Sequence, residues 1–418
     1  MNRSYRIIIS GGGTGGHLFP ALSIADEIKQ RFPVVDILFV GADNRMEMEH
    51  VPTAGYRIIG LPVSGLDRTN LLKNIGVVWR LLKSLRMARK IIRDFKPDIA
   101  IGVGGYASGP VLWMASSIHI PILIQEQNSY AGVTNRLLGK RAKKICVAYR
   151  GMEKYFPEER IIITGNPVRK ELELLKDVAL PFNDIPLPPF SSLRKETDYF
   201  LTSRNVVPQA KQTHYLNFNN KERSKAEALQ YFGMESEKPV LLVLGGSLGA
   251  RTINQSIRKG LEALMNAGIQ VIWQTGRIAY TAIKDELNNN SGGSESIKGL
   301  WVSDFITRMD YAYLIADLVV SRAGACTLSE LCLLMKATIL VPSPNVADDH
   351  QTKNARALSE NDAAVLIPDK DAVELLTPTV IELLTNNERL NRLSAHIALF
   401  AQHDSTKRIV DEVVKLLT

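Results

Sequence analysis

The sequence predicts an α/β protein with two Rossmann-like domains, each built on a doubly wound parallel sheet. Its 418 residues are too many for one ordinary hydrophobic core and suggest two domains of roughly 150–200 residues each. Short apolar runs alternate with stretches of helical periodicity, which is typical of parallel sheets covered by helices. A strand, a glycine turn and a helix follow one another near residue 7 and again near residue 239. This repetition indicates two similar halves.

The first domain is expected over residues 1–166. Its predicted strands lie near 5–10, 36–41, 57–60, 98–102, 121–124, 145–148 and 161–163. The stretch 99–125 has no Lys, Arg, Asp or Glu and is long enough by residue count to cross a membrane. Its six glycine and proline residues instead favour a buried strand, a turn, a helix and a second strand.

A Pro-rich stretch at 177–222 shows no sustained periodicity and is interpreted as a linker or insertion. The second domain is expected over residues 223–400, with strands near 239–244, 270–274, 300–302, 318–321, 338–342 and 364–367. The chain ends in a helical pattern at 405–418, which we expect to pack back on the first domain.

Composition restricts the class of protein. A hydrophobic content of 45% with a mean hydropathy of −0.03 is typical of a soluble globular chain. The three cysteines form no CxxC pair, so we expect the protein to work in a reducing compartment. The first residues lead directly into a predicted strand, so we expect no signal peptide. Residues 1–166 hold 23 Lys and Arg against 13 Asp and Glu, while the rest hold 28 against 30. A basic first half can bind nucleic acid or an anionic membrane, or its charges can simply be solvated. The sequence shows no RNP-like strand that would favour RNA binding.

The glycine cluster after the first strand is the first candidate site. Its backbone amides and the following helix form a geometry that can cradle a phosphate, and His17 at its end is a candidate general base. The letters GxGxxG also fit a dinucleotide site, but the acidic Asp36 begins the next strand instead of ending it. His17 could equally be a helix cap or a core residue.

Two such domains facing a cleft resemble the GT-B glycosyltransferases, which hold a nucleotide-sugar on the second domain and an acceptor on the first. Seven motifs occur in the order found in one family: GTGGHLFPA (13–21), GGYASGP (104–110), QEQN (125–128), GNPVR (165–169), GGSLGAR (245–251), SRAGA (321–325) and DHQTKNA (349–355). Together they resemble the MurG family, peptidoglycan N-acetylglucosaminyltransferases of glycosyltransferase family 28. The resemblance covers nearly the whole chain outside 177–222.

The resemblance implies inverting transfer of N-acetylglucosamine from UDP-N-acetylglucosamine to the 4-hydroxyl of the muramoyl sugar of undecaprenyl-pyrophosphoryl-MurNAc-pentapeptide, which converts lipid I to lipid II. His17 would be the catalytic base, and the Phe305-Ile306 backbone would contact uracil. The implied donor contacts are Thr14, Gly15, Gly16, Asn128, Arg169, Ser247, Ile306, Ala325, Cys326, Thr327, Glu330 and Gln351. Glu330 would bind the ribose diol, although an ordinary helix-surface carboxylate is the alternative. No cofactor and no metal are implied.

A peripheral position on the cytoplasmic face of the bacterial inner membrane is implied as well, because lipid I is membrane-anchored. The expected membrane and acceptor patch comprises Trp79, Lys83, Arg86, Lys140, Arg141, Lys143 and Lys144. The apolar side of the same helical stretch, Leu71, Ile75 and Val78, is expected to pack on the sheet. Other cell-wall or division proteins are further candidate partners, and nucleic acid is not. A non-hydrolysing UDP-N-acetylglucosamine 2-epimerase of the same fold is the alternative enzyme, and an RNA-binding protein is a remote one.

Overall fold

The computed structural model describes residues 4–64, 74–175, 218–246, 248–290, 297–346 and 349–418. These residues form two compact units. The first contains residues up to Arg169 together with Gln402–Thr418, and the second contains the described residues from Lys170 to Ala401. Most of the Pro-rich stretch at 177–222 therefore lies outside the described residues, and its last five residues belong to a helix that starts at Phe218.

The first unit is built on a seven-stranded parallel sheet with the order β3-β2-β1-β4-β5-β6-β7. The strands are β1 (Tyr5–Ser10), β2 (Val35–Ala42), β3 (Arg57–Leu61), β4 (Ile99–Gly102), β5 (Ile122–Glu126), β6 (Lys144–Val147) and β7 (Ile161–Ile163). The predicted doubly wound parallel sheet is confirmed. The charge-free stretch 99–125 forms β4, a helix and most of β5, and no helix among the described residues is long and apolar enough to cross a membrane.

Helices cover both faces of this sheet. They are α1 (Gly15–Arg31), α2 (Glu47–Thr53), α3 (Asn74–Phe95), α4 (Ser108–Ser117), α5 (Val133–Gly139) and the C-terminal helix (Ser405–Leu417). Alternate residues of β1 enter different cores: Ile7 and Ile9 pack with α1 and the C-terminal helix, whereas Ile8 packs with α3, α4 and α5. The last helix of the chain is therefore part of the first core.

The register of α3 differs from the sequence expectation. Its buried positions are Ser84, Ala88 and Ile92, whereas Val78 is 52% exposed. The expectation that Val78 packs on the sheet is thus wrong, because small residues spaced by four let the helix approach its neighbours along another stripe. Leu71 and the side chain of Ile75 lie outside the described residues.

The second unit has a six-stranded parallel sheet with the order β10-β9-β8-β11-β12-β13. The strands are β8 (Val240–Leu244), β9 (Gln270–Gln274), β10 (Leu300–Ser303), β11 (Leu318–Ser321), β12 (Thr338–Leu340) and β13 (Val365–Leu366). The helices are α6 (Lys170–Leu175), α7 (Phe218–Phe232), α8 (Arg251–Asn266), α9 (Arg277–Asn290), α10 (Met309–Ile315), α11 (Ala325–Leu333), α12 (His350–Ser359), α13 (Ala372–Thr385) and α14 (Asn387–Ala398).

Strand order reverses beside β1 in the first sheet and beside β8 in the second. Ligands of such sheets bind beyond the carboxyl ends of the strands at this reversal. In both units two glycine loops touch there. A Cβ on Gly105 would lie 2.4 Å from the carbonyl oxygen of Gly12, and a Cβ on Gly276 would lie 2.1 Å from the nitrogen of Gly249. The loops that follow β1 and β8 are therefore held by backbone contact.

Candidate active site

His17 lies in the first turn of α1 and is partly exposed. Thr14 is the N-cap, and its carbonyl oxygen accepts from the amides of His17 and Leu18 at 3.1 Å each. The imidazole lies against Gly104, where an added Cβ would be 2.7 Å from Cε1. Its Nδ1 is 3.0 Å from Oε1 of Gln127. His17 is therefore neither a helix cap nor a core residue, and its ring is held from two sides.

Three buried amide side chains form a chain of hydrogen bonds that begins at His17. Nε2 of Gln127 donates to the carbonyl oxygen of Val103 at 2.8 Å and to Oε1 of Gln125. Nε2 of Gln125 donates to Oδ1 of Asn166 at 3.3 Å, and Nδ2 of Asn166 donates back to the carbonyl oxygen of Gln127 at 3.1 Å. Sequence reasoning placed these amides in two motifs but gave none of them a role toward His17.

Glu47 braces the first glycine loop and was missed by sequence reasoning. Its side chain is only 1% exposed; Oε2 accepts from the amide of Gly13 at 2.9 Å, and Oε1 accepts from the amide of Ala42 at 2.9 Å. The expected phosphate cradle is therefore wrong at Gly13, because a carboxylate of this protein already occupies that amide. The only sign of this role in the sequence is that an acidic residue follows the second strand after one loop.

Two further expected donor contacts lie in the same unit. Nδ2 of Asn128 donates to Glu126 at 3.3 Å, and the buried Glu126 carboxylate also accepts from the amides of Asn128 and Gly132 and from Nδ2 of Asn135 on α5. The guanidinium of Arg169 lies 4.9 Å from the ring centroid of Phe19. A Cβ on Gly15 would be 3.2 Å from that same ring. The structure thus brings Gly15 and Arg169 to one aromatic side chain of α1.

In the second unit, the start of α11 follows β11 directly. Gly324 is its N-cap, and Ala325, Cys326 and Thr327 form its first turn. Glu330, one turn further, is only 9% exposed, and its Oε2 accepts from the hydroxyl of the fully buried Tyr313 at 3.0 Å. Burial excludes an ordinary helix-surface carboxylate. Tyr313 was missed, since it lies 17 residues earlier on α10.

One backbone group of the segment expected to contact uracil has a hydrogen-bond partner within the protein. The amide of Ile306 donates to Oε1 of Gln274 at 3.0 Å. Gln274 is 5% exposed, and none of the described residues accepts from its Nε2. The contact of Ile306 with uracil stays a prediction, and Gln274 is the neighbouring side chain that sequence reasoning missed.

Gln351 is the second residue of α12. Its Oε1 accepts from the amide of Ser343 at 2.9 Å, and the buried Asn354 donates to the carbonyl of Ala323 at 3.2 Å. The start of α12 is thereby tied to the loop before α11. Ser247, the remaining expected contact, lies outside the described residues.

The expectation of no metal overlooked one Asp-x-Asp triplet, residues 369–371. Asp369 forms an ion pair with Arg322 and accepts from the hydroxyl of Thr252 at 2.9 Å. Arg322 also donates to the carbonyl of Val341 at 3.0 Å. Asp369 therefore braces the β11 and β12 loops, and the described residues contain no group of three or more His, Cys, Asp and Glu side chains that could hold a metal ion.

The expected basic patch lies on α3 and on the residues from the end of α5 to the start of β6. Trp79 is 67% exposed and shares the outer stripe of α3 with the exposed Lys83 and Arg86. Arg141 lies 3.8 Å from the ring centroid of Trp113 on α4. Lys140 and Lys143 are exposed and Lys144 is half-buried. Sequence reasoning missed Trp113 and Leu137, which are 41% and 68% exposed.

Family models match both halves of the chain. The glycosyltransferase family 28 N-terminal domain matches residues 7–147, and the glycosyltransferase family 28 C-terminal domain matches residues 240–409. The UDP-N-acetylglucosamine--N-acetylmuramyl-(pentapeptide) pyrophosphoryl-undecaprenol N-acetylglucosamine transferase of Parabacteroides distasonis is 56% identical over 99% of each chain. The enzyme of the same name from Porphyromonas gingivalis is 52% identical over 100% of this chain and 97% of its own.

Solved structures share the fold. MurG of Acinetobacter baumannii is 24% identical, with a TM-score of 0.63 over 98% of this chain and 99% of that one. UDP-GlcNAc 2-epimerase from Neisseria meningitidis is 12% identical, with a TM-score of 0.59 over 99% and 100%. The fold is thus common to transferases and epimerases. The identity of this chain to the transferase relatives is much higher than to the epimerase, and this difference separates the two classes. With both family models matched and relatives more than half identical over almost its whole length, the chain belongs to glycosyltransferase family 28.

Proposed function

We propose that this chain transfers N-acetylglucosamine from UDP-N-acetylglucosamine to N-acetylmuramyl-(pentapeptide) pyrophosphoryl-undecaprenol. The observation that carries the proposal is the 56% identity over 99% of the chain to a relative named for that reaction. The acceptor atom is the 4-hydroxyl of the muramoyl sugar, and the new linkage is β. The first unit holds the acceptor and the second holds the donor.

The buried Glu330 supports the donor half of the proposal. A carboxylate that is 9% exposed and fixed by Tyr313 at 3.0 Å suits a ribose diol, because a preset acceptor orders both hydroxyls. The amides at the start of α11, at residues 325–327, lie one turn before it and can bind the diphosphate. The positive end of the helix dipole also stabilises the charge that develops on departing UDP.

His17 supports the acceptor half. With Nδ1 bound to Gln127, Nε2 is the ring nitrogen that can accept the proton of the attacking hydroxyl. The hydroxyl oxygen forms a bond to C1 of N-acetylglucosamine on the face opposite UDP, the bond from C1 to the diphosphate oxygen breaks, and UDP carries away the electron pair. The proton stays on His17 until water removes it.

The test follows UDP release from UDP-N-acetylglucosamine with and without a short-chain analogue of the lipid acceptor. Release that requires the acceptor supports the transferase. Turnover of the donor without acceptor would instead support the epimerase. His17→Ala should lower turnover about 10²–10⁴-fold with donor binding retained.

Glu330→Ala tests the donor site by calorimetry. Loss of a hydrogen bond to a charged group costs about 1.5–3 kcal/mol, so donor affinity should fall about ten- to a hundredfold. Glu388→Ala, which removes an exposed carboxylate from α14, is the matched control. Unchanged donor affinity in a folded Glu330 variant would remove Glu330 from the site.

The exposed side chains of α3, α4 and α5 support peripheral docking on an anionic bilayer, at the cytoplasmic face of the inner membrane. Apolar Trp79 and Leu137 can enter the interface, while each neighbouring Lys or Arg contributes about 1 kcal/mol near an anionic surface. Vesicle co-sedimentation should rise with anionic lipid and fall with added salt.

Charge reversal makes this docking test specific. Replacing Lys140, Arg141, Lys143 and Lys144 with Glu should abolish vesicle binding. The matched control reverses four exposed lysines of the second unit, Lys225, Lys259, Lys284 and Lys298. Equal binding of both variants, or equal binding to neutral and anionic vesicles, would contradict electrostatic docking.

A further inference from the structure

We propose that Gln127 is a positioning residue that fixes the tautomer of His17, with the proton on Nδ1 and the free electron pair on Nε2. The proposal rests on the base role of His17 given above, which it deepens. The juxtaposition that carries it is the 3.0 Å separation of His17 Nδ1 and Gln127 Oε1. Either atom of an amide can occupy such a position, so the rest of the network decides which one does.

The orientation of the Gln127 amide follows from its other neighbours. Nε2 lies 2.8 Å from the carbonyl oxygen of Val103, which can only accept a hydrogen bond. A flipped amide would place two carbonyl oxygens against each other there. The nitrogen therefore faces Val103, and the oxygen faces His17.

Gln125 and Asn166 close the network and hold this orientation. Oε1 of Gln125 accepts from Gln127, its Nε2 donates to Asn166, and Asn166 donates to the backbone of Gln127. All three amides are 0–2% exposed, so water cannot replace a lost partner. Because a buried polar group without a partner is energetically costly, each amide side chain holds the next one in its orientation.

The orientation of the Gln127 amide determines which ring nitrogen of His17 carries the proton. Because Oε1 of Gln127 can only accept, Nδ1 must donate, and the neutral imidazole is held as the Nδ1–H form. When Nε2 takes the hydroxyl proton, Nδ1 keeps its own, and the same hydrogen bond stabilises the imidazolium. Gly104 packs against the ring and limits its rotation. A neutral amide therefore orients the base without adding a charge beside it.

The tautomer is measured by ¹⁵N NMR of the histidine side chains, with the His17 signals assigned by their loss in His17→Gln. The wild-type enzyme should show protonated Nδ1 and unprotonated Nε2 at a pH where the ring is neutral. Gln127→Met removes the acceptor with little change in volume, so His17 should populate both forms and kcat should fall about tenfold, which is less than the roughly 10²–10⁴-fold loss expected when the base itself is removed. The KM for the donor should stay unchanged.

Gln127→Glu keeps an acceptor at Nδ1, but its second oxygen replaces the nitrogen that donates to Val103 and Gln125, so the rest of the network is weakened. The variant should keep the Nδ1–H form, recover part of kcat, and move the acidic limb of the pH–rate profile to higher pH, because a carboxylate favours the imidazolium. Gln30→Met makes the same substitution as Gln127→Met at an exposed position of α1 and should change neither the spectrum nor kcat.

A wild-type His17 protonated at Nε2, or a tautomer that Gln127→Met leaves unchanged, would overturn the proposal. If Gln127→Met unfolds, the wild-type spectrum and Gln127→Glu carry the test. The base role fails separately: turnover retained by His17→Ala would remove it while the spectrum still reports the tautomer.

Discussion

At the scale of single residues, the cysteines of the second unit give a probe of the donor site. Cys326 is partly exposed in the first turn of α11, whereas Cys332 is buried, and burial raises the pKa of Cys332 to about 12. Only thiolates react readily with alkylating agents. We expect iodoacetamide at pH 8 to modify Cys326 first and UDP-N-acetylglucosamine to slow that modification, as measured by peptide mass spectrometry.

The control for this protection is Glu330→Ala, in which the donor should protect Cys326 only at higher concentration. Cys146 should also resist modification in the folded enzyme, because burial raises the pKa of its thiol. Equal alkylation of Cys326 with and without saturating donor would argue against the start of α11 as the diphosphate site.

Tyr313 offers a second prediction at this scale. Tyr313→Phe removes the hydroxyl that donates to Glu330 at 3.0 Å and leaves a buried carboxylate oxygen with one partner fewer. We expect donor affinity to fall about tenfold by calorimetry, since hydrogen bonds to charged groups contribute about 1.5–3 kcal/mol. Tyr311→Phe on the same helix is the matched control, and equal affinities in the two variants would count against a role for Tyr313.

At the scale of elements, the paired glycine loops of the second unit hold the turn after β8. Gly276→Ala would place a Cβ 2.1 Å from the nitrogen of Gly249 at a φ of +78°. Gly268 has a nearly equal φ of +75° but nothing within 4 Å of its Cβ position, so Gly268→Ala isolates the conformational cost, about 1–2 kcal/mol. Gly276→Ala should lower the free energy of unfolding by more than that and also weaken donor binding.

Denaturant unfolding and calorimetry on the two glycine variants check this prediction. Because the collision at Gly276 is with backbone, the loop after β8 has to move, whereas Gly268→Ala should leave donor affinity unchanged. Equal losses of stability in both variants would mean that the two loops separate without cost.

At the scale of the whole molecule, the end of the chain completes the core of its beginning. Ile409, Val410 and Val413 of the C-terminal helix are fully buried, and they pack in one cluster with Ile7 and Ile24. Ile409→Ala should cost about 2–5 kcal/mol, the usual range for such a cavity. Hydrogen exchange should quicken in residues 4–169, while the strands of the second sheet keep their protection.

Leu416→Ala on the same helix, at a partly buried position, should have a smaller effect on exchange. A uniform increase in exchange across both units after Ile409→Ala would show that they unfold as one cooperative body. The prediction of independent units would then be wrong.

The sequence by itself determined the elements and the fold class. Each of the thirteen described strands, β1 to β13, lies within two residues of its predicted bounds. These signals are local, since buried parallel strands are short apolar runs and their ends are marked by glycine turns. The family motifs likewise placed His17 and Gln351 in the first turns of helices, and Glu330 one turn further along its helix.

Only the tertiary structure decided which side chains hold those residues. Glu47 reaches Gly13 across 34 residues, Tyr313 reaches Glu330 across 17, and Gln127 reaches His17 across 110. The folding of the strands and helices brings these distant residues together in space, so no periodic pattern along the sequence predicts the contacts. The exposure of Val78 was decided in the same way, because the approach of neighbouring helices selects which stripe of α3 is buried.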